Sequence, residues 1–200
     1  SKHCMDLQRH GEGIPGQLDL TCIDGIGGFG TAIDSLVAIK TLIFEEKKLT
    51  WDELLTALEC NWEGKEAIRQ LCLNAPKFGN GIEWVDHLGK EIYRISLDYV
   101  RNNPKPNGQP TIVRIIPITF HVPAGRVTFA TPTGRPAGEY LSEGISPAHG
   151  MDVKGPTITM NSMTRATAIA CKENKYLGGI AEAEVTQGDL AEGIVGDVIP

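Results

Sequence analysis

A glycine-rich segment at residues 25–30, GIGGFG, is the first stretch whose residue types and spacing suggest chemistry. In a GxGxxG pattern between a strand and a helix, glycines bind the pyrophosphate of a dinucleotide, and Glu45 and Glu46 lie at a suitable distance for the ribose contact. The surroundings fit poorly, because residues 17–24 carry Asp and Thr where a buried parallel strand needs apolar side chains. Nucleotide binding therefore stays an alternative, and we prefer the interpretation that these glycines let the loop pass close to other backbone.

The histidines offer acid-base or metal chemistry, but their spacing contains no HxH or HExxH arrangement, so we expect no metal cluster. His121 is the candidate of most interest, because it lies near the end of a predicted strand and functional residues collect at strand ends in α/β folds. The position suits a core histidine hydrogen-bonded to backbone equally well, and the sequence leaves both roles open.

The cysteines are widely spaced, odd in number and form no CxxC pair: Cys4, Cys22, Cys60, Cys72 and Cys171. A closed zinc site is therefore not expected, and free thiols in a reducing cytoplasm are the simplest interpretation. Cys4 stands two residues before Asp6. This arrangement suits either a radical-carrying thiol with an acid-base partner or an ordinary buried thiol.

Length and composition exclude several classes of protein. The 200 residues, 41% hydrophobic and 22% charged, suit one globular domain or part of a larger one. A net charge of −6 with acids and bases interspersed disfavours nucleic acid as a partner. No apolar run is long enough to cross a bilayer and no signal peptide is visible, so we expect a cytoplasmic protein that does not bind membranes.

Four helices are predicted in the first hundred residues. The first begins near Thr31, and its wide apolar face, which includes Leu36 and Phe44, suggests packing between neighbours. A capping box of Thr50 and Glu53 starts the second helix, which ends near Cys60. The third is predicted over residues 64–73 and the fourth over 82–100, with one apolar side formed by Val85, Leu88, Ile92, Ile95 and Tyr99.

The second half of the chain is less regular. Residues 102–110, NNPKPNGQP, are typical of a surface loop. Residues 111–123, TIVRIIPITFHVP, are β-branched and apolar on both faces, which predicts a strand of a buried parallel sheet. From Gly125 the chain is crowded with Gly and Pro, but its scatter of apolar residues favours an ordered, and therefore functional, irregular segment.

Several longer motifs carry a family resemblance. They are DSLVAIK at 34–40, LNAPKFGN at 73–80 with Val85-Asp86, and above all TPTGRPAGE at 131–139, followed by SEGISP at 142–147, GMD at 150–152 and GPT at 155–157. In order and spacing these motifs resemble glycyl radical enzymes of the pyruvate formate-lyase type over about residues 4–165. Motifs this long are far more specific than a single glycine pattern.

The resemblance implies an α/β fold in which residues 1–165 form part of a ten-stranded α/β barrel and residues 166–200 a divergent or unassigned tail. In that family one central loop carries a cysteine that becomes a thiyl radical, and a second loop carries the glycine that stores the radical. The thiyl abstracts hydrogen from a small organic substrate, after which a C–C, C–O, C–N or C–S bond breaks. A buried barrel suits this chemistry because it excludes water and oxygen.

The resemblance also implies that this chain lacks both radical residues. Cys4 matches a non-catalytic Cys-x-Glu element that follows the thiyl loop, which places the thiyl cysteine before Ser1, and the Arg-Val-x-Gly-Tyr type signature of the glycine loop is absent. No cofactor is expected to be bound in this chain. In the parent protein, a homodimer, a radical S-adenosylmethionine activating enzyme would install the glycyl radical.

The implied substrate contacts are Phe120, His121 and Val122, at the end of the predicted strand, together with Glu139. The stretch 135–147 would mainly brace the barrel through hydrogen bonds to backbone that lacks ladder partners, with Glu143 as a further polar contact.

Two positions depart from the family pattern, which usually has Asp where Thr133 stands and often has Asp where Gly81 stands. The alternative function is a non-catalytic binding or assembly module derived from the same fold.

Overall fold

The computed structural model describes residues 21–24, 27–103, 111–114 and 119–173. Cys4, Asp6, Gly25, residues 104–110 and the tail beyond 173 lie outside this part of the chain. Within the described ranges the order of elements is β1 (Thr21–Asp24), α1 (Phe29–Ile39) with a π-helical continuation (Lys40–Glu45), α2 (Trp51–Glu59), α3 (Glu66–Asn74), α4 (Glu83–Asn102), β2 (Thr111–Arg114), α5 (His121–Val127) and α6 (Pro156–Glu173).

The two strands pair in parallel, with Thr21 opposite Thr111 and Asp24 opposite Arg114. The parallel pairing agrees with the sequence prediction, but the strand predicted over 111–123 is wrong at its end. Thr119 and Phe120 form a turn, and His121 begins α5. Pro123 fits there because a proline in the first turn of a helix lacks only an N–H that has no intrahelical partner.

The capping box at the start of α2 is confirmed. The Thr50 side chain accepts from the backbone N–H of Glu53 at 3.3 Å, and the Glu53 carboxylate accepts from the backbone N–H of Thr50 at 2.8 Å. These reciprocal bonds satisfy two otherwise unpaired donors and define where the helix begins. The helix α2 then ends at Glu59, one residue from the expected position.

Helices α1, α4 and α6 form the main core and approach closely at Gly89. A methyl group at Gly89 would lie 2.8 Å from Ile33 Cδ1 and 3.1 Å from Ala166 Cβ, so glycine at this position helps the three helices to pack closely. The buried apolar residues of this cluster are Phe29, Ile33, Val37, Phe78, Val85, Tyr93, Leu97, Ile145, Met163 and Ala166.

The predicted apolar faces of α1 and α4 are partly wrong. On α4 the buried line steps four residues at a time through Val85, Gly89, Tyr93 and Leu97. Ile95 and Tyr99 are 65% and 68% exposed. On α1 the side chain of Leu36 is 44% exposed. The π-helical continuation changes the turn angle after Ile39 and leaves Phe44 outside the core.

Helix α6 is absent from the sequence prediction. Its buried face consists of Thr159, Ser162, Met163 and Ala166, and these small and polar residues produce little hydrophobic periodicity. Gly155, at φ 91°, followed by Pro156 at the first helical position was the available signal. The helix continues across the predicted division between residues 165 and 166.

Candidate functional site

A cleft of ≈ 160 Å³ lies between α3 and the irregular segment that follows α5. The polar and ring side chains along it include Arg69, Thr133, Arg135, Glu139, Tyr140 and His149. One of the four predicted substrate contacts, Glu139, therefore lines a concave surface.

Arg135 organises the wall opposite α3. Its two Nη groups donate to the backbone oxygens of Glu139 at 2.6 Å, Phe129 at 2.5 Å and Thr128 at 3.3 Å. Arg135 therefore binds backbone oxygens of an irregular segment, as expected for this stretch, and its role in bracing a barrel stays a prediction. Burial lowers the pKa of the Arg135 guanidinium, although the nearby Glu139 acts in the opposite direction.

The same wall is fastened to the α2–α3 connection. Trp62 Nε1 donates to the backbone oxygen of Arg135 at 3.1 Å, and Asn61 Oδ1 accepts from Ala137 N at 2.7 Å. Gly134 sits against α3 with φ 91°, where a methyl group would lie 2.6 Å from Leu73 Cγ. The loop is thus held on both sides, which gives the cleft a defined shape.

Two further contacts fix the far end of the cleft. Thr31 and Ser142 exchange hydrogen bonds, each backbone N–H donating to the other side-chain oxygen at 2.9 Å. On α5, a methyl group at Gly125 would lie 2.2 Å from the backbone oxygen of Glu139. Glycine at this position therefore allows α5 to lie directly on the segment that carries Glu139.

Three rings lie together at the rim. The rings of Tyr140 and His149 are 4.8 Å apart in an edge-to-face arrangement, and His121 stacks on His149 with ring centroids 6.1 Å apart. His121 is half-buried at the start of α5, so it belongs neither to a strand end nor to the fully buried core.

The predicted substrate contacts are therefore only partly brought together. Glu139 lines the cleft, and His121 reaches it through the ring of His149. Phe120 is 57% exposed and lies beside Gly27 instead, while Val122 is half-buried on α5. Their role in substrate binding stays a prediction.

Sequence reasoning missed Arg69, Tyr140 and His149 as cleft residues. Tyr140 stands immediately after a recognised motif, but Arg69 carries no local signal, because it reaches the cleft only when α3 packs beside residues 133–139.

The GxGxxG pattern has a packing explanation at its last glycine. A methyl group at Gly30 would lie 2.6 Å from Ser146 O and 3.1 Å from Pro147 Cα. This close approach of α1 to another backbone segment is what the preferred interpretation expects.

The LNAPKFGN motif connects α1, α3 and the irregular segment through buried polar groups. The Asp34 carboxylate accepts from Phe78 N at 2.8 Å, and Lys77 Nζ donates to the backbone oxygens of Cys72 and Ala75 at 2.7 and 3.1 Å. Asn80 donates to Met151 O at 2.8 Å. Desolvation raises the pKa of Asp34 to about 7, although the hydrogen bond from Phe78 N–H lowers it.

An ion pair between a buried carboxylate and a partly exposed guanidinium connects α4 with α6. Arg165 Nη1 lies 2.8 Å from Asp86 Oδ2, and the Asp86 side chain is fully buried. Desolvation raises the pKa of this carboxyl, while hydrogen bonds from Ser162 and Arg165 lower it. The motifs that carry the family resemblance therefore include buried structural contacts.

Neither a metal centre nor a membrane span is found in the described part of the chain. No group of three or more His, Cys, Asp or Glu side chains is placed to hold a metal ion among these residues. None of the described helices is long and apolar enough to cross a membrane.

Comparison with known proteins identifies the family. The model of the pyruvate formate lyase-like family matches residues 5–125. The chain belongs to the pyruvate formate lyase-like family. The chain is similar to an isethionate sulfite-lyase of Nitratidesulfovibrio vulgaris, with 48% identity over 161 residues. The aligned part is 80% of this chain and 19% of the sulfite-lyase. This chain thus spans about a fifth of the length of the curated relatives that it matches.

Solved structures agree with the family assignment. A glycerol-bound B12-independent glycerol dehydratase from Clostridium butyricum superposes with a TM-score of 0.72 at 31% identity, over 85% of this chain and 24% of the dehydratase. A glycyl radical enzyme from Archaeoglobus fulgidus gives a TM-score of 0.68 at 26% identity, over 87% of this chain and 24% of that enzyme. The predicted resemblance of this pyruvate formate lyase-like chain to glycyl radical enzymes is confirmed. The described part of the chain is mostly helical, with one parallel strand pair.

Proposed function

We propose that this chain is a segment of a glycyl radical lyase or dehydratase that cleaves a small organic substrate. The observation that carries the proposal is the family match over residues 5–125, supported by similarity to an isethionate sulfite-lyase at 48% identity. In the whole protein the segment would form part of the wall of a ten-stranded α/β barrel. The protein would be a cytoplasmic homodimer.

The chain's own residues would shape and close the site. Arg135 and Gly125 hold the segment with Glu139 against α5, and the ring of His121 packs on His149 beside it. We assign Phe120, His121, Val122 and Glu139 to the substrate-facing wall, where a mixture of apolar side chains with one carboxylate would exclude water and orient a polar substrate.

The radical itself would come from residues outside these 200. When present, the glycyl radical and its thiyl partner supply hydrogen abstraction from the substrate, and a radical S-adenosylmethionine activating enzyme would install the glycyl radical. The sequence contains no Arg-Val-x-Gly-Tyr signature for the glycine loop. The segment alone is therefore expected to be inactive.

The test combines the coding sequence with spectroscopy. We expect the open reading frame to continue upstream to a thiyl-loop cysteine and downstream to a radical glycine. The encoded protein, activated without oxygen by its activating enzyme, should show a glycyl radical signal by electron paramagnetic resonance, and Gly-to-Ala substitution of the radical glycine should remove it. An open reading frame limited to these 200 residues, or a full-length protein that never shows the signal, would contradict the proposal.

A further inference from the structure

The cleft between α3 and residues 133–151 has the features of a binding site for an anion. We propose that it binds a small organic oxyanion, meaning a carboxylate, sulfonate or phosphate group on a short carbon skeleton, with Arg69 as the direct contact. This inference goes beyond the proposed radical reaction, because binding here requires neither the thiyl nor the glycyl residue.

Arg69 is positioned but not fully used by the fold. Its Nε donates to the backbone oxygen of Gly134 at 2.8 Å, which fixes the orientation of the guanidinium at the cleft wall. Its two Nη groups have no hydrogen-bond or ion-pair partner among the described residues. A planar guanidinium with free Nη donors matches the paired oxygens of a carboxylate, sulfonate or phosphate.

The charge around the cleft has the sign that an oxyanion requires. Its lining includes two arginines and one acid, although the whole chain carries a net charge of −6. The acid is Glu139, whose side chain is exposed at the rim and solvated there. Arg135 adds positive charge to the cleft wall. We do not assign it a direct contact with the ligand, because its Nη groups already donate to backbone oxygens.

Size and shape limit the ligand to a small molecule. A volume of ≈ 160 Å³ is below the range of pockets that hold nucleotides or drug-sized ligands. Leu73 and Met151 contribute apolar surface for a short carbon skeleton, and the ring of Tyr140 lies at the rim. Because Gly134 and Arg135 are held by Arg69, Trp62 and the backbone, the walls are preorganised for binding.

Isothermal titration of the 200-residue chain, after a cooperative thermal melt has shown that it folds by itself, tests the proposal. The probes are isethionate, propionate and inorganic phosphate, with glycerol as the neutral probe. We expect the two organic anions to bind and glycerol not to bind. Equal affinity for inorganic phosphate would support recognition of the oxyanion head without a contribution from the skeleton. If no anion gives heat of binding at concentrations up to about 20 mM, which is far above the Kd expected of a functional site, the proposal is overturned.

Matched variants assign the contact. Arg69→Gln should weaken binding roughly ten-fold, the effect of losing a charge-assisted hydrogen bond. The control is Arg94→Gln, because Arg94 lies on α4 and pairs there with Glu91 and Asp98. Wild-type affinity in the Arg69→Gln variant would overturn the assignment.

A second measurement uses the wild-type chain, so its result does not depend on whether the Arg69→Gln variant folds. In the wild-type chain, added isethionate should shift the amide NMR signals of Gly134, Tyr140 and His149. Arg69→Lys, which keeps the charge but loses the planar fork, should retain weaker binding. Shifts confined to other parts of the chain would refute the site. Because these assays detect no radical, their failure is distinguishable from failure of the proposed lyase function.

Discussion

Substitution of Gly125 by alanine tests the packing that supports the cleft. An alanine methyl group would lie 2.2 Å from the backbone oxygen of Glu139 and 2.6 Å from Tyr140 Cα, whereas ordinary contacts begin at 3.4 Å. Both contacts are with backbone, so no side chain can rotate away. Either α5 or residues 139–140 must therefore move by about 1 Å.

The magnitude follows from two opposing effects. Overpacking of this kind costs about 1–3 kcal/mol, and the severity of the contact favours the upper end. Alanine in a helix interior regains about 0.5–1 kcal/mol relative to glycine. We expect a net loss of about 2 kcal/mol in the free energy of unfolding, and hence a melting temperature lower by roughly 4–8 °C for a chain of this size.

Urea unfolding followed by circular dichroism measures the loss, with Gly138→Ala as the matched control. Gly138 has φ 84° but no heavy atom within 4 Å of an added methyl group, so its variant reports backbone strain without a clash. Gly125 carries no such strain, because its φ is not positive. A Gly125→Ala chain as stable as the wild type, or more stable, would refute the close packing of α5 on residues 139–140.

Three further outcomes can be tested on the same chain. Because desolvation raises the pKa of Asp34 from 3.8 to about 7, the folded state holds this proton to higher pH than the unfolded state; its contribution to stability should be full below about pH 4 and fall by about 4 kcal/mol as the pH rises to 7. Asp34→Asn should remove that slope in urea unfolding measured from pH 4 to 8, and an unchanged slope would show that Asp34 ionises normally. Arg135→Lys should cost about 1–3 kcal/mol, because a single ammonium cannot replace the three carbonyl contacts; Arg126→Lys, an exposed change on α5, should cost almost nothing in the same denaturation assay. Burial raises the pKa of the Cys72 thiol to about 11, so iodoacetamide at neutral pH should alkylate the partly exposed Cys60 well before Cys72 in peptide mass mapping, and equal rates would contradict the burial of Cys72.

The sequence by itself determined the family and most helix positions in the first hundred residues. A long motif such as TPTGRPAGE is specific because a match over nine residues rarely arises by chance. Arg135 within this motif does bind the backbone as expected. The capping box of Thr50 and Glu53 was equally readable, since its hydrogen bonds join residues only three positions apart. Contacts between residues that are close in sequence can be predicted from one sequence alone.

Only the tertiary structure decided which helix faces are buried, where the strand ends and what lines the cleft. Ile95 and Tyr99 are exposed although they are apolar, and α6 buries a face of small and polar residues. Hydropathy periodicity does not predict either arrangement. Residues 119–123 form a turn and a helix although their β-branched neighbours favour a strand, because tertiary context overrides weak local propensity. Arg69 joins Tyr140 and His149 across more than sixty residues of sequence, and no periodicity or motif encodes that meeting. It arises because Gly134 can lie directly on α3 and Gly125 on residues 139–140, where a side chain at either position would hold the segments apart.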